Sequence, residues 1–247
     1  MRPAGFADLH QHVLWGLDDG PRTPQQMYAL LRQNIEEGIQ LIFATTHAYP
    51  RNRQFDMPLY RQRLAEANAY CESMGWPLRI LPGCEIHYCP AVADILMRRE
   101  LPTLGDSRYV LIEFAPDVLL RQVRDAADSL YRAGYLPVIA HVERYRCLVR
   151  APERAADIRE EYGLLYQMNC STVLRPGGFW KRRFVRRMLQ LQAIDAIATD
   201  AHDSARRPAR MRAAHQRIAR RYGADYAQRL ACLGWEIAGP EPDGAPQ

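Results

Sequence analysis

The segment ADLHQHVLWGLDDG, Ala7 to Gly20, places two histidines one residue apart and three carboxylates within 14 positions. Imidazole nitrogens and carboxylate oxygens are the donors that hold divalent ions in catalytic sites. On a strand, residues two apart point to the same face, so His10 and His12 aim two donors at one place. Asp200 and His202 in TDAH repeat that spacing near the other end of the chain. Asp19, His47, Glu85, Glu113 and His141 lie between them and bring the candidates to nine. One ion takes about four to six donors, so nine suit two or three ions, with a carboxylate such as Glu85 shared.

Charge points the same way. Asp19, Glu85, Glu113 and Asp200 carry −4 beside neutral histidines. Left alone, four gathered acids would repel one another and raise their own pKa values. Three divalent ions would bring about +6 and leave about +2, a match for a phosphate dianion. Ions about 3.5–4 Å apart generate a bridging hydroxide near neutral pH and stabilise the entering and leaving oxygens of an in-line displacement. The expected chemistry is therefore hydrolysis of a phosphoester. Neighbouring residues have plainer readings: Asp18 as a turn residue of LDDG, His87 as a packed neighbour of Glu85, and His215 as an exposed residue of an arginine-rich helix.

The elements that must position these donors alternate along the chain. Strand-like runs are AGFADLH, IQLIFATTH, PLRILPGCEIH, RYVLIEF, LPVIAHVER, LLYQMNCS and DAIATDAH. Helical segments separate them, the first opening on Thr23 as N-cap, Pro24 at its first position and Gln26 closing a capping box, with Gly38 past its end. Further helices are expected near 56–74, 90–100, 118–133, 152–162 and 180–191, and two more close the chain. Apolar strands separated by helices imply parallel strands covered on the outside. Every candidate donor falls at or just past the carboxyl end of a strand except Asp19, in the loop after the first. In a (β/α) barrel those ends meet at one mouth, whereas in an open sheet they would be spread along a line. The expectation is a single-domain α/β fold, a distorted (β/α)7 TIM-like barrel over residues 1–238, with the Pro/Gly-rich tail 239–247 disordered.

Composition bounds the remaining function classes. The chain has 247 residues, 48% hydrophobic and 25% charged, which is ordinary for a protein with a substantial core. No run approaches the roughly 18 apolar residues of a membrane span, and MRPAGFADLH lacks an apolar signal core, so membrane insertion is not expected and the cytoplasm is. Six scattered cysteines without a C-x-x-C pair fit reduced thiols. The formal charge of +5 is concentrated in the basic segments 175–187 and 205–221, which suit an anionic partner or a solvated helical face equally.

H-x-H on the first strand, a lone His on the second, Glu on the third and fourth, IAHVERY on the fifth and TDAH near the end resemble the polymerase and histidinol phosphatase (PHP) superfamily. More narrowly, DLHQHVLWGLDDGPRTPQQ, GCEIHYCPAV, PTLGDSRYVLIEF and IATDAHDSARRPARM are similar to the bacterial manganese-dependent tyrosine-protein phosphatases of capsule and exopolysaccharide synthesis, the CpsB/YwqE type. The resemblance runs from about residue 7 to residue 230. It implies a PHP-fold barrel with three Mn²⁺ ions per chain, for which Fe²⁺, Co²⁺ or Zn²⁺ are alternatives. By motif position, His10, His12, Glu85 and Asp200 would hold one ion, Glu85, Glu113 and His141 a second, and Asp19, His47 and His202 a third. Arg144 and Arg207 match arginines taken to hold phosphate, and Arg206 stands where relatives often carry a small residue, which would make the mouth more basic. His47 or a metal-bound water is a candidate proton donor. The implied substrate is the phosphorylated tyrosine-rich tail of a cognate bacterial tyrosine kinase, attacked directly by a metal-bridging hydroxide.

Three alternatives stand beside this reading. A small phosphomonoester such as histidinol phosphate, or a nucleic acid, could be the substrate of the same site, although nucleic acid is not expected. A cysteine-dependent phosphatase needs C-x5-R, and CSTVLR, Cys170 to Arg175, is one residue short and reads as a strand-end turn at the border of the mouth. A binding module that has lost its metals would not keep nine donors.

Overall fold

The computed structural model describes residues 5–51 and 55–240. Seven parallel strands follow one another around a nearly closed barrel in chain order: β1 (Phe6–Gln11), β2 (Ile39–Ala48), β3 (Arg79–His87), β4 (Tyr109–Glu113), β5 (Leu136–Ile139), β6 (Leu165–Asn169) and β7 (Ala196–Ala198). The helices on the outside are α1 (Pro24–Glu37), α2 (Met57–Ser73), α3 (Val92–Met97), α4 (Leu120–Arg132), α5 (Arg146–Val149), α6 (Pro152–Glu161), α7 (Cys170–Leu174), α8 (Phe179–Gln190), α9 (Met211–Tyr222) and α10 (Ala224–Ala238). The end of the chain falls outside the described residues from 241 onward, and with it most of the tail expected to be disordered.

The first helix shows how local sequence sets the crossovers. Thr23 Oγ1 accepts from the Gln26 N–H at 3.3 Å, and Pro24 supplies a φ already suited to the first turn. The capping box is displaced by one residue, because the Gln26 side chain accepts from the Arg22 N–H at 2.8 Å. Gly38 ends the helix at φ 80°, a conformation that costs other residues a steric clash, and its carbonyl then accepts from the Phe6 N–H that starts the barrel.

Alternation along the strands splits the core in two. Outward residues such as Ile42, Ile80, Val110, Ile139 and Met168 pack beneath the helices. Inward residues Leu9, Phe43, Leu111, Val138 and Ala196 fill the barrel, and Leu233 and Ile237 of α10 close its amino end. α10 approaches so nearly that a Cβ on Gly234 would lie 2.5 Å from the Ala7 Cβ, so only glycine fits there. The carboxyl end closes differently. Between β7 and β1 the Asp200 N–H donates to the His10 carbonyl at 2.9 Å, and the His12 N–H donates to the Ala201 carbonyl at 3.0 Å. The barrel is thus plugged with apolar side chains at one end and rimmed with polar ones at the other.

Candidate metal centre

The nine predicted donors all reach that rim, by four different backbone routes. On β2, β3 and β4 simple alternation suffices: the register pairs His47 with Glu85 and His87 with Glu113, continuing the inward rows Phe43–Leu81 and Glu85–Leu111. On β1 it does not. Asp8 pairs with Ile42 and Gln11 with Ala44, so three steps on β1 match two on β2. This β-bulge turns both Leu9 and His10 inward and leaves His12 inward as well. Without it, His10 and His12 would share the outward face of Asp8.

His141 and Asp200 use strained backbone instead. β5 ends at Ile139 and β7 at Ala198, earlier than their sequences suggest, and His141 (φ 32°) and Asp200 (φ 51°) occupy the left-handed region that non-glycine residues avoid. Gln167 Oε1 holds the His141 N–H at 2.7 Å, and the His10 carbonyl holds the Asp200 N–H. The Asp200–His202 pair therefore comes from a strained turn and not from strand alternation. Asp19, finally, reaches the rim on the loop after β1, where it is 58% exposed while most of the other donors are buried.

Glu85 is the hub. Its Oε2 lies 3.3 Å from Nε2 of both His10 and His12 and 3.1 Å from His47 Nδ1, and its Oε1 lies 2.6 Å from His141 Nε2. Glu113 sits 3.6 Å from His47 Nδ1 and 3.7 Å from His141 Nε2. Asp200 Oδ1 is 3.6 Å from Nε2 of His10 and of His12. Asp19 Oδ1 closes the third side, 3.1 Å from His202 Nε2 and 3.5 Å from His47 Nε2. Donor atoms gather within 4.8 Å of one another in three overlapping groups: His12 with Asp19, His47 and His202; His10 with His12 and Glu85; and His47 with Glu85 and Glu113. His12, His47 and Glu85 thus each serve two groups.

The imidazoles are oriented for metal. Gln167 Oε1 accepts from His10 Nδ1 at 3.1 Å, Asp18 Oδ2 from His12 Nδ1 at 2.7 Å, and the Asp200 carbonyl from His202 Nδ1 at 3.0 Å. A neutral imidazole whose outer nitrogen donates has a bare lone pair on the other, so three Nε2 lone pairs point inward. Two of them, on His10 and His12, face each other at 3.3 Å. The buried His47 Nδ1 and His202 Nε2 each have a carboxylate oxygen at 3.1 Å, but out of hydrogen-bonding geometry. Imidazole lone pairs crowded against Glu85 and Asp19 fit divalent cations closely.

The electrostatics of the cluster pull in opposite directions. Burial opposes charge on His10 and His12, yet Glu85 and Asp200 raise the first and Asp18 and Glu85 raise the second. Burial, reinforced by the charge of Glu85, pushes Glu113 up to about 8. Burial and the neighbouring His12 charge push His47 down to about 4. Opposed shifts among touching groups are characteristic of functional sites.

A family model described as capsular polysaccharide synthesis, CpsB/CapC, matches residues 6–234. The chain belongs to the CpsB/CapC family. It is 32% identical over 232 residues to the tyrosine-protein phosphatase CpsB of Streptococcus pneumoniae, covering 90% of this chain and 93% of that one. It is 30% identical over 205 residues to the tyrosine-protein phosphatase YwqE of Bacillus subtilis, covering 79% and 77%. A solved structure from work on YwqE and the pneumococcal CpsB, described as unique metal-dependent tyrosine phosphatases, superposes with a TM-score of 0.86 at 27% identity over 94% of each chain.

Residues beyond the nine complete the site of this CpsB/CapC-family chain. Arg144 bonds Asp200 Oδ2 through Nη2, while Arg207 reaches Asp200 Oδ1 at 3.0 Å and Asp19 Oδ2 at 3.4 Å. Both guanidinium groups stand at the rim, partly open to solvent. Arg206 is exposed, and what it offers nearby is a backbone N–H to Asp203. Asp18 is more than a turn residue, since it fixes His12 and also accepts the His47 N–H at 3.0 Å. His87 touches Glu113 at 3.4 Å, and Tyr49 packs between the His47 and His87 rings at 5.2 and 5.7 Å.

Gln167 and Asn169 were not anticipated. Asn169 Nδ2 donates to Asp200 Oδ2 at 2.7 Å, and Gln167 supports His10 and His141 together. The signal was present in LYQMN, where polar residues occupy the inward positions of an otherwise apolar strand. Two further expectations are corrected. His215 is buried and stacks on Phe6 at 4.5 Å, because it lies on the inward side of α9 and not among its arginines. Cys170 does not border the mouth: it is fully buried in the outer core, its Sγ 3.7 Å from Met211 Sδ, and burial raises its thiol pKa well above the ordinary range.

Proposed function

We propose that this chain hydrolyses phosphotyrosine in proteins, using two or three divalent cations, Mn²⁺ foremost, held by His10, His12, Asp19, His47, Glu85, Glu113, His141, Asp200 and His202. One observation carries the reading: inward-facing imidazole lone pairs and four carboxylates converge at a rim where two arginines stand over them. When bound, the cations supply Lewis acidity, which activates water and offsets the charge of a phosphoryl group.

The chain's own residues do the rest. Arg144 and Arg207 are pre-positioned by Asp200, and their planar forks suit two phosphate oxygens each. Asp18, Gln167 and Asn169 hold the ligands rigid, which keeps the site from reorganising as charge develops. A cavity of about 330 Å³ opens beside Asp19 and His47, walled by Tyr49 and Phe55, and receives the aromatic ring of the substrate. A phenol with a pKa of about 10 leaves without strong acid assistance, unlike a serine alkoxide. The buried Cys170 is no candidate nucleophile.

The natural substrate in this reading is the phosphorylated tail of a cognate bacterial tyrosine kinase, met in the cytoplasm. The names of the relatives support the capsule context, and no helix among the described residues is long and apolar enough to cross a membrane. The test is turnover by chelator-stripped protein, with each ion added back, on a phosphotyrosine peptide, a phosphoserine peptide, histidinol phosphate and single-stranded DNA. Activity should vanish on stripping, return most fully with Mn²⁺ and favour the phosphotyrosine peptide. Full turnover without metal, or preference for the small ester or the DNA, would end the proposal.

A further inference from the structure

The two basic segments of the sequence, far apart in the chain, meet in one cavity. It has a volume of about 590 Å³ and lies between α7, the loop 175–178, α8 and α9. Its floor is apolar, made by Val173, Val185 and Leu189, all buried. Its walls carry Arg175, Arg182, Arg186, Arg217 and Arg221, none of which forms an ion pair among the described residues. Nearby, Glu153 is already engaged by Arg183 at 3.4 Å and by Arg187 at 3.0 Å. Arg182 with Arg186, and Arg217 with Arg221, stand one helical turn apart, a spacing at which like charges destabilise a helix. The fold gathers six arginines here and supplies an anion to one of them, Arg183.

The rim adds a second feature. Phe179, 70% exposed, lines the cavity, and Trp180 meets it edge-on at 5.4 Å between ring centroids. Two large aromatic side chains left in solvent beside unpaired arginines suit a ligand that is itself aromatic and anionic. The cavity also connects to the metal centre through the chain. Asn169, which bonds Asp200, is followed directly by α7, so Val173 of the floor lies about one turn, roughly 6 Å along the helix axis, beyond it.

We infer that this arginine cavity is a docking site for a second phosphotyrosine of the same substrate chain, which holds the polypeptide while the first is presented to the mouth. The inference rests on the phosphotyrosine reading of the metal centre. A single-stranded nucleic acid also combines rings with phosphates, but it needs a track that follows successive phosphates. This site is one pocket with an apolar floor, suited to one ring and one dianion. Linking two contacts on one chain raises the effective concentration of the second, so the gain appears in KM and leaves kcat unchanged.

The test compares a peptide bearing one phosphotyrosine with the same peptide bearing two, several residues apart, on the Mn²⁺-loaded full chain. The wild-type KM should be about tenfold lower for the doubly phosphorylated peptide. The triple variant R182E/R186E/R217E should lose that ratio while keeping its kcat on the single one. The exposed pair R182Q/R186Q, chosen to spare the fold, should reduce it. Binding of a non-hydrolysable phosphonate version of the two-site peptide, read by fluorescence anisotropy, tests the cavity even if the mouth prefers another ester. A ratio near one in the wild type, an undiminished ratio in both variants, or variants that lose oligonucleotide or anionic-vesicle binding while retaining phosphonate-peptide affinity would each overturn the inference.

Discussion

The barrel mouth and the arginine cavity are both places where charge is left uncompensated, with opposite sign and different construction. At the mouth the donors are mostly buried and three imidazoles are held from behind, His12 by Asp18, His10 by Gln167 and His202 by the Asp200 carbonyl. In the cavity most of the arginines are exposed, and among the described residues only Arg183, through Glu153, has an ion-pair partner. Rigid, desolvated charge suits ions and bond-breaking, where a misplacement of about 1 Å is costly. Solvated charge suits recognition, where salt screens each contact. An imbalance of charge says that something binds, and the stiffness of its setting says what kind of event follows.

The contrast can be broken most severely at the mouth. His141→Ala removes an imidazole whose Nε2 touches Glu85 and whose backbone already sits in a strained turn. Turnover should fall by about a thousandfold or more while the far-ultraviolet circular dichroism stays that of the wild type. Near-wild-type turnover would mean that the ligand set has been misassigned.

His215 gives the comparison a control, because it is a buried histidine outside both regions, packed on Phe6. Burial pushes its pKa down to about 4, against about 6.5 in the unfolded chain. The unfolded state therefore binds the extra proton first. Stability is fully present above about pH 6.5 and is lost as pH falls towards 4, by up to about 3 kcal/mol. Denaturant titrations across that range should show this acid limb, and His215→Phe should flatten its share. An unchanged limb in the variant would show that the histidine is already protonated when folded.

A smaller effect is expected behind the ligands. Asp18→Asn keeps the shape of the side chain but weakens the clamp on His12 and alters its tautomer preference. Metal affinity, measured by competition with a chelator, should drop about 10- to 100-fold, with activity recovered at high Mn²⁺. Affinity equal to wild type would show that the clamp contributes only geometry.

Much of this was legible in the sequence, for a definite reason. Inward residues of a barrel strand recur every second position, so His47, Glu85 and Glu113 announce themselves at strand ends. Gln167 and Asn169 obey the same rule but were passed over, since amides look unremarkable until a ligand leans on them. The bulge at Leu9–His10 carries no glycine or proline to betray it, and only the register with β2 exposes it. The left-handed turns at His141 and Asp200 are equally silent, because their cost is met by long-range hydrogen bonds to Gln167 and His10. A further buried network, in which Asp8 and Gln11 of β1, Asn34 of α1 and Thr199 just past β7 satisfy one another, likewise needs the fold to be seen. His215 misled because its neighbours in sequence are arginines while its neighbours in space are Phe6 and the last helix.

The most direct measurement is the metal content of the full chain after reconstitution with Mn²⁺ and removal of free ion, by elemental analysis alongside protein concentration. Nine converging donors with inward lone pairs predict about three ions per chain, falling by at least one in His141→Ala. Fewer than two ions per wild-type chain would contradict the claim that the mouth is a multi-ion centre.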